Sequence, residues 1–232
     1  MIERYSISRP ALNLEERFGI EVDKKYKPKY NAAPTQLVPI ITLSGRGGLS
    51  YFHWGQTPEL AKAKPVGQKL LFADSSDLTI KANLKRKLAA HRCIIPADGF
   101  YAWKKVGKKE MIPYRIVTLN QVLFSIAGLW EEYEDESGNE VHTFSMIQTK
   151  SPQVIEQITP SLPAILHQDE EEIWLEKSSG SDDLISIIKP YSNDELSFFT
   201  VSSRIHSLNA EGPELAKPAP AADQFGNYSL FD

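Results

Sequence analysis

A chain of 232 residues with 41% hydrophobic, 10% aromatic and 24% charged residues carries enough apolar side chain to offset the entropy of ordering, which excludes a fibrous or disordered protein. Its formal net charge of −4 excludes a protein that coats nucleic acid by bulk charge, leaving only a local basic patch for such a role. One cysteine excludes an internal disulfide and a multi-cysteine zinc site, and five histidines in no ligand spacing leave neither metal nor cofactor expected.

Helical spacing comes first, over residues 12–18, followed by β-branched and aromatic runs at 37–43 and 49–54. Tyr30-Asn31 with Pro34, and later Asp98-Gly99, read as turn chemistry. A helix is expected over 80–90, then strands over 92–96, 114–119 and 122–130. The acidic segment 131–140 contains Ser-Gly-Asn and joins the last of these to a run at 141–148 as a hairpin with a solubilising tip. Ser151 caps a helix over 152–158 that has Pro152 at its first position, a strand follows at 164–167, and Asp169 with 170–172 places negative charge at the start of a helix over 170–175. A helix over 182–188 and a strand over 198–201 complete the list. The pattern predicts an α+β fold, a mainly antiparallel sheet system over a few short helices, in a single domain covering 1–232. From Gly212 the composition turns to Pro and Ala, so residues 213–232 are expected as an extended strap or a partly disordered end.

No apolar run approaches the roughly 20 residues of a membrane helix, and residues 1–10 lack a signal-peptide stretch, so a soluble, cytoplasmic, monomeric protein is expected. Between Lys81 and Lys109 stand nine Lys/Arg against one acid, Asp98. The bland reading is a solvated helix face and a charged turn. The sharper one is a nucleic-acid surface, because Phe100, Tyr101 and Trp103 are interleaved with the cations. Cys93 in a strand reads as an inert buried thiol. A Ser202, His206 and Asp98 hydrolase is set aside, since no G-x-S-x-G elbow occurs.

Six phrases in order carry a resemblance: Met1-Ile2-Glu3-Arg4, Tyr30-Asn31-Ala32-Ala33-Pro34, His53-Trp54-Gly55, Arg92 through Pro96-Ala97-Asp98-Gly99-Phe100-Tyr101-Ala102-Trp103, Leu162-Pro163-Ala164-Ile165-Leu166, and Val201-Ser202-Ser203-Arg204-Ile205-His206 through Glu211-Gly212-Pro213-Glu214. Together they resemble the SOS-response-associated peptidase (SRAP) family, the abasic-site processing proteins, over nearly the whole chain. The resemblance implies a curled, barrel-like β-system with a channel for single-stranded DNA. It also implies an N-terminal cysteine, exposed by loss of the initiator methionine, whose amine and thiol trap the aldehyde of an abasic sugar as a thiazolidine. An asparagine, a glutamate and a histidine assist. An amine of pKa near 7.7–8.0 is partly unprotonated at neutral pH and so attacks an aldehyde, and a carboxylic acid and imidazole move the protons.

The chain departs from that pattern at each reactive position. The cysteine is Ile2, the asparagine aligns within a residue of Ala73, the glutamate is Ala102 and the histidine is Thr159. A DNA-contacting arginine is replaced by Ser75, and the tryptophans after the Trp-Gly phrase are missing, leaving Glu59, Leu60 and Ala61. No catalytic residue is therefore expected. The resemblance leaves Arg4, Asn31, Trp54, Lys85, Arg86, Trp103, Arg204 and His206 as candidate DNA contacts, with His53 a further channel candidate. Arg4 reads equally as a phosphate contact and as half of an internal salt bridge. Three functions stay open: a catalytically degenerate module that binds single-stranded or damaged DNA in repair, a protein-interaction scaffold with a closed channel and an unknown partner, and residual Schiff-base lyase activity through the Met1 amine or a lysine. Peptidase activity is least expected, for want of Cys at 2 and Glu at 102.

Overall fold

The computed structural model describes residues 2–43, 47–63 and 66–227. In chain order the elements are β1 (Ile2–Ile7), α1 (Ala11–Phe18), β2 (Lys29–Ala32), β3 (Leu37–Thr42), β4 (Ser50–Trp54), α2 (Pro58–Ala63), α3 (Gln68–Leu71), β5 (Phe72–Asp74), α4 (Ala82–Ala90) and β6 (Arg92–Ala97). There follow β7 (Gly99–Lys105), β8 (Met111–Thr118), β9 (Phe124–Glu134), β10 (Glu140–Lys150), α5 (Gln153–Glu156), β11 (Ser161–Pro163), β12 (Ile165–Leu166), α6 (Gln168–Leu175), α7 (Ser181–Ser186) and β13 (Leu196–Thr200). Short 3₁₀ turns at Ser203–His206 and Pro213–Ala216 lead into the C-terminal segment.

Two β-systems share one core. Strands run β10-β4-β3-β6-β9, and the β9–β10 hairpin closes that order into a five-stranded barrel, mainly antiparallel, with β4 and β5 parallel to β10. A second antiparallel sheet has the order β13-β8-β7-β1-β2. Because successive residues of a strand face opposite ways, each strand divides its side chains between two layers. Val38, Ile40, Phe52, Trp54, Cys93, Ile95, Ile126, Phe144 and Met146 turn into the barrel and join Tyr5, Ile7, Phe100, Ile112, Tyr114 and Ile116 from one face of the second sheet. Their alternate neighbours Ile41, Ile94, Ala127, Leu129 and Ile147 point outward under α4, α6 and α7. Each fully buried aliphatic or aromatic side chain stabilises by about 1.5–3 kcal/mol, so this two-sided burial is the main term holding the fold. The other face of the second sheet carries Tyr101 and Trp103 and is covered by Val201, Ile205 and Leu215.

Charged groups inside this framework are bonded. Asp98, 2% exposed, accepts from the Ser8 amide at 2.8 Å, the Ser8 hydroxyl at 2.6 Å and Arg115 Nη2 at 3.0 Å, which ties β1 to β8. Gly99 does not take a positive φ there. It begins β7, and a Cβ on it would stand 2.6 Å from Arg115 Nε, so the glycine makes room for the guanidinium that pairs with Asp98. Arg92 is fully buried and meets four carbonyls: Nε donates to Trp174 O at 2.6 Å, Nη1 to Leu88 O and to Ala89 O at 2.9 Å, and Nη2 to Glu176 O at 2.6 Å. It thereby satisfies the last carbonyls of α4 and α6, which lack intrahelical partners. It is no part of a basic surface.

Other expectations are corrected. Ser151 does not cap α5; the N-cap is Pro152 and no side-chain cap bond forms, while the Ser151 amide donates to Pro160 O at 3.0 Å. Tyr30 and Asn31 belong to β2 and not to a turn, and Asn31 Nδ2 donates to Ser207 O and Ala210 O, both at 2.9 Å. The acidic hairpin forms as expected around a turn at Asp135, whose carboxylate accepts from the Ser137 and Asn139 amides. Residues 218–227 run beside the end of β13 and the tip of the β7–β8 hairpin; residues 228–232, the end of the segment expected as a strap or disordered end, lie outside the described residues.

Candidate nucleic-acid interface

The outer face of the second sheet, with the turn that covers it, gathers five of the eight candidate contacts. Arg4 on β1 stands opposite Tyr101 on β7, and two residues along β7 the same face carries Trp103. The turn Ser203–His206 lies over this face, and the Trp103 indole Nε1 donates to His206 Nε2 at 3.2 Å with ring centroids 5.6 Å apart. His206 Nε2 is therefore an acceptor, which makes the imidazole neutral with its proton on Nδ1. Burial first, and the nearby Arg4 charge second, hold its pKa below the ordinary imidazole value, while Asp223 pulls the other way. Asn31 from β2 fixes the loop after the turn through the two carbonyl bonds already described. Tyr101 donates its hydroxyl to Tyr30 O at 3.0 Å, and burial raises its pKa to about 12.

Arg4 is the electrostatic centre of the cluster. It is 9% exposed, and burial lowers its pKa from the usual guanidinium value. Nη1 donates to Glu3 O at 2.7 Å and Nε has no partner, and no described carboxylate comes within ion-pair distance of it. The Glu3 charge offsets part of that burial cost, and an added anion would offset more. Arg204 on the same turn is exposed and adds a second positive charge at the rim.

The remaining candidates are elsewhere. Trp54 is fully buried, its indole donating to Leu71 O at 3.2 Å and its ring set edge-on to Tyr5 at 5.6 Å and Phe72 at 5.9 Å, so it is a barrel residue with no face for a base. Lys85 and Arg86 are exposed on α4, the helix covering the barrel, and not on the Arg4 face. The basic run from 81 to 109 is accordingly not one surface: Lys87 pairs with Glu131 at 2.7 Å, Lys81 pairs with Asp77, Arg92 is internal, and Lys104 to Lys109 sit on the β7–β8 hairpin. His53 Nδ1 is bonded to Thr35 O at 2.7 Å and serves the β3–β4 connection.

The positions at which the resemblance implies a glutamate and a histidine are closed. Ala102, the register partner of Ile2 across β1 and β7, is fully buried toward the barrel. Thr159 is 1% exposed and donates its hydroxyl to Ser161 O at 3.1 Å. Ala73, 5% exposed, packs outward with the second layer, while Phe72 turns inward to Trp54. A cavity of 370 Å³ opens beside Ala73, lined among others by Asp74, Asp77, Lys81 and Gln148. There the Ser76 hydroxyl, 2.7 Å from Asp74 Oδ1, holds the Asp74 carboxyl below its usual range. The Met1 amine lies outside the described residues. Among the described residues, Glu132, Glu140 and His142 bring ligand atoms within 4.8 Å of one another at the exposed end of the barrel hairpin, where His142 Nε2 lies 3.0 Å from Glu140 Oε1 in an ion-pair arrangement.

The profile of the SOS response associated peptidase (SRAP) family matches residues 1–208. The chain belongs to the SRAP family. Among its relatives, the abasic site processing protein YoqW of Bacillus subtilis (strain 168) is 34% identical over 220 residues, 93% of this chain and 98% of that one. The abasic site processing protein HMCES of Xenopus tropicalis is 26% identical over 82% of this chain and 66% of its own. A crystal structure of a protein from Bacteroides thetaiotaomicron superimposes with a TM-score of 0.80 at 26% identity, covering 93% of this chain and 99% of that one.

In this SRAP protein, Tyr101, one of the aromatics interleaved with the cations, joins the cluster, while Asp223 acts on His206 without having been singled out. The alternation of β7 held the signal for Tyr101, since it lies two residues from Trp103 and one from the inward Phe100. Asp223 carried none, because a Pro/Ala tail has no periodicity to place it.

Proposed function

We propose that this SRAP protein takes part in DNA repair by holding single-stranded or abasic DNA non-covalently on the outer face of its second sheet. The buried, anion-seeking guanidinium of Arg4 carries this reading. A phosphate would complete it with charge-assisted bonds, Arg204 would meet a neighbouring phosphate, and the partly buried Trp103 ring would offer its accessible edge for stacking. The resemblance of the relatives to one another in name, all abasic site processing proteins, supports a damaged-strand ligand. The burial of Ala102 and Thr159 supports the further view that no covalent capture follows, since neither position offers an acid or base to a sugar aldehyde.

Fluorescence anisotropy with a labelled single-stranded oligonucleotide at low salt tests this. Binding is expected to fall steeply with added salt, and Arg4→Ala and Arg204→Ala are each expected to weaken it, Arg4→Ala by about tenfold. Absence of binding at low salt overturns the proposal. It would favour the second reading, a protein-interaction scaffold, for which the closure around Ala102 and Thr159 is the supporting observation.

A further inference from the structure

The chain beyond the matched family segment returns to the face just described. From the turn Pro213–Ala216, whose Leu215 is 1% exposed, the chain bridges Pro218 to Val201 and pairs Ala219 with Thr200 through two bonds, Ala219 N to Thr200 O at 2.9 Å and Thr200 Oγ1 to Ala219 O at 2.7 Å. It then runs toward the tip of the β7–β8 hairpin. There the Gln224 amide holds two main-chain groups, accepting from Met111 N at 2.8 Å and donating to Lys109 O at 2.7 Å. Val201 N bonds Pro113 O, and Pro113 is the register partner of Trp103, so the strap spans the flank of Trp103 from Pro113 to Met111.

The residue delivered to this flank is an acid. Asp223 is 5% exposed, and its carboxylate accepts only N–H donors of its own turn: Phe225 N at 2.9 Å, Asn227 N at 2.8 Å and Asn227 Nδ2 at 3.0 Å. Among the described residues no cation lies within ion-pair distance of it, so its negative charge is left to act on its surroundings. His206, which bonds Trp103 and lies in the field of Arg4, responds to that charge. The hold on the tip itself is light, one side-chain amide, and Phe225 beyond it is 70% exposed.

We propose that the segment from Pro220 to Asn227 is an autoinhibitory strap: it holds the Asp223 carboxylate on the Trp103 flank of that face, where its charge repels nucleic-acid phosphate, and binding of a strand displaces it. This rests on the nucleic-acid reading of that face. Release breaks the two Gln224 bonds and uncovers Ala222, 7% exposed, and Ala221, which packs on the main core, while Leu215 and the Thr200 pairing stay in place.

The experiment compares the full chain with a chain ending at Ala219, and with Asp223→Asn and Gln224→Ala, by anisotropy with a single-stranded oligonucleotide at fixed salt. The shortened chain is expected to bind about tenfold more tightly, and each point variant about threefold more tightly, since removing a competing conformation raises affinity by the reciprocal of the fraction of chains that were open. Equal affinity of all four chains overturns the strap while leaving the nucleic-acid reading intact. Absence of binding by every chain overturns both. A readout independent of DNA is the imidazole titration of His206 by NMR, which Asp223→Asn is expected to move to lower pH; an unmoved titration places Asp223 away from the cluster and overturns the proposal even where a shortened chain fails to fold.

Discussion

His206 couples the chemistry of the Arg4 face to the stability of the fold. Its neutral form accepts the Trp103 indole bond, and burial and Arg4 depress its pKa relative to the unfolded value near 6.5. The unfolded chain therefore binds the proton more readily, and stability rises with pH through the interval below about 6.5 and is fully present above it. Acidification through that interval charges the imidazole beside Arg4 and breaks the Trp103 bond. Thermal melts from pH 7.5 down to pH 5 are expected to show a falling midpoint, with His206→Asn shrinking the dependence; a pH-independent midpoint shift between the two chains would contradict this role. The residue was legible as a candidate from its phrase, but its partner was not. Trp103 and His206 are 103 residues apart, and only the wrap of the C-terminal segment over β7 brings them together.

At the scale of elements, β7 decides which side chains are available to a ligand. The sequence Phe100-Tyr101-Ala102-Trp103 sends Phe100 and Ala102 into the barrel-facing core and Tyr101 and Trp103 to the outer face. The position where the family resemblance implies a glutamate is thus a closed core site here, packed under Tyr114, its register partner across β8. Ala102→Glu would bury a carboxylate with no compensating donor, at a cost of about 3 kcal/mol, which for a protein of this size lowers the melting midpoint by about 10 °C. A midpoint within about 2 °C of the parent would mean that an open channel reaches position 102.

The same strand explains what sequence reading missed. Apolar runs such as 37–43 and 122–130 announce themselves because barrel strands bury both faces, whereas β7 mixes Gly, Ala, Trp and Lys and resembles a turn followed by a charged surface. β1 and β2 were hidden for a related reason. Their polar positions Arg4, Ser6 and Asn31 are not matched by neighbours in sequence: Ser6 is satisfied by Asp98 and Asn31 by the 207–210 loop. The helices over 12–18, 80–90 and 170–175 were readable from local spacing alone. The count of cations between 81 and 109 misled, because linear density says nothing of which sheet each residue joins, nor that Arg92 is spent on helix ends.

Across the whole molecule, the closed barrel and the second sheet divide labour. One face of the second sheet completes the common core and carries position 102, where the resemblance implies a glutamate, and the opposite face carries Arg4, which has no carboxylate within ion-pair distance among the described residues. On the proposed function, this chain holds a strand and does not react with it. The most direct measurement is to mix the full chain with a single strand containing one abasic site and divide the sample between a native and a denaturing gel, with borohydride added to half of the latter. The account predicts a salt-sensitive complex on the native gel and free strand in every denaturing lane. A strand-linked protein band that survives denaturation, with or without reduction, would contradict it.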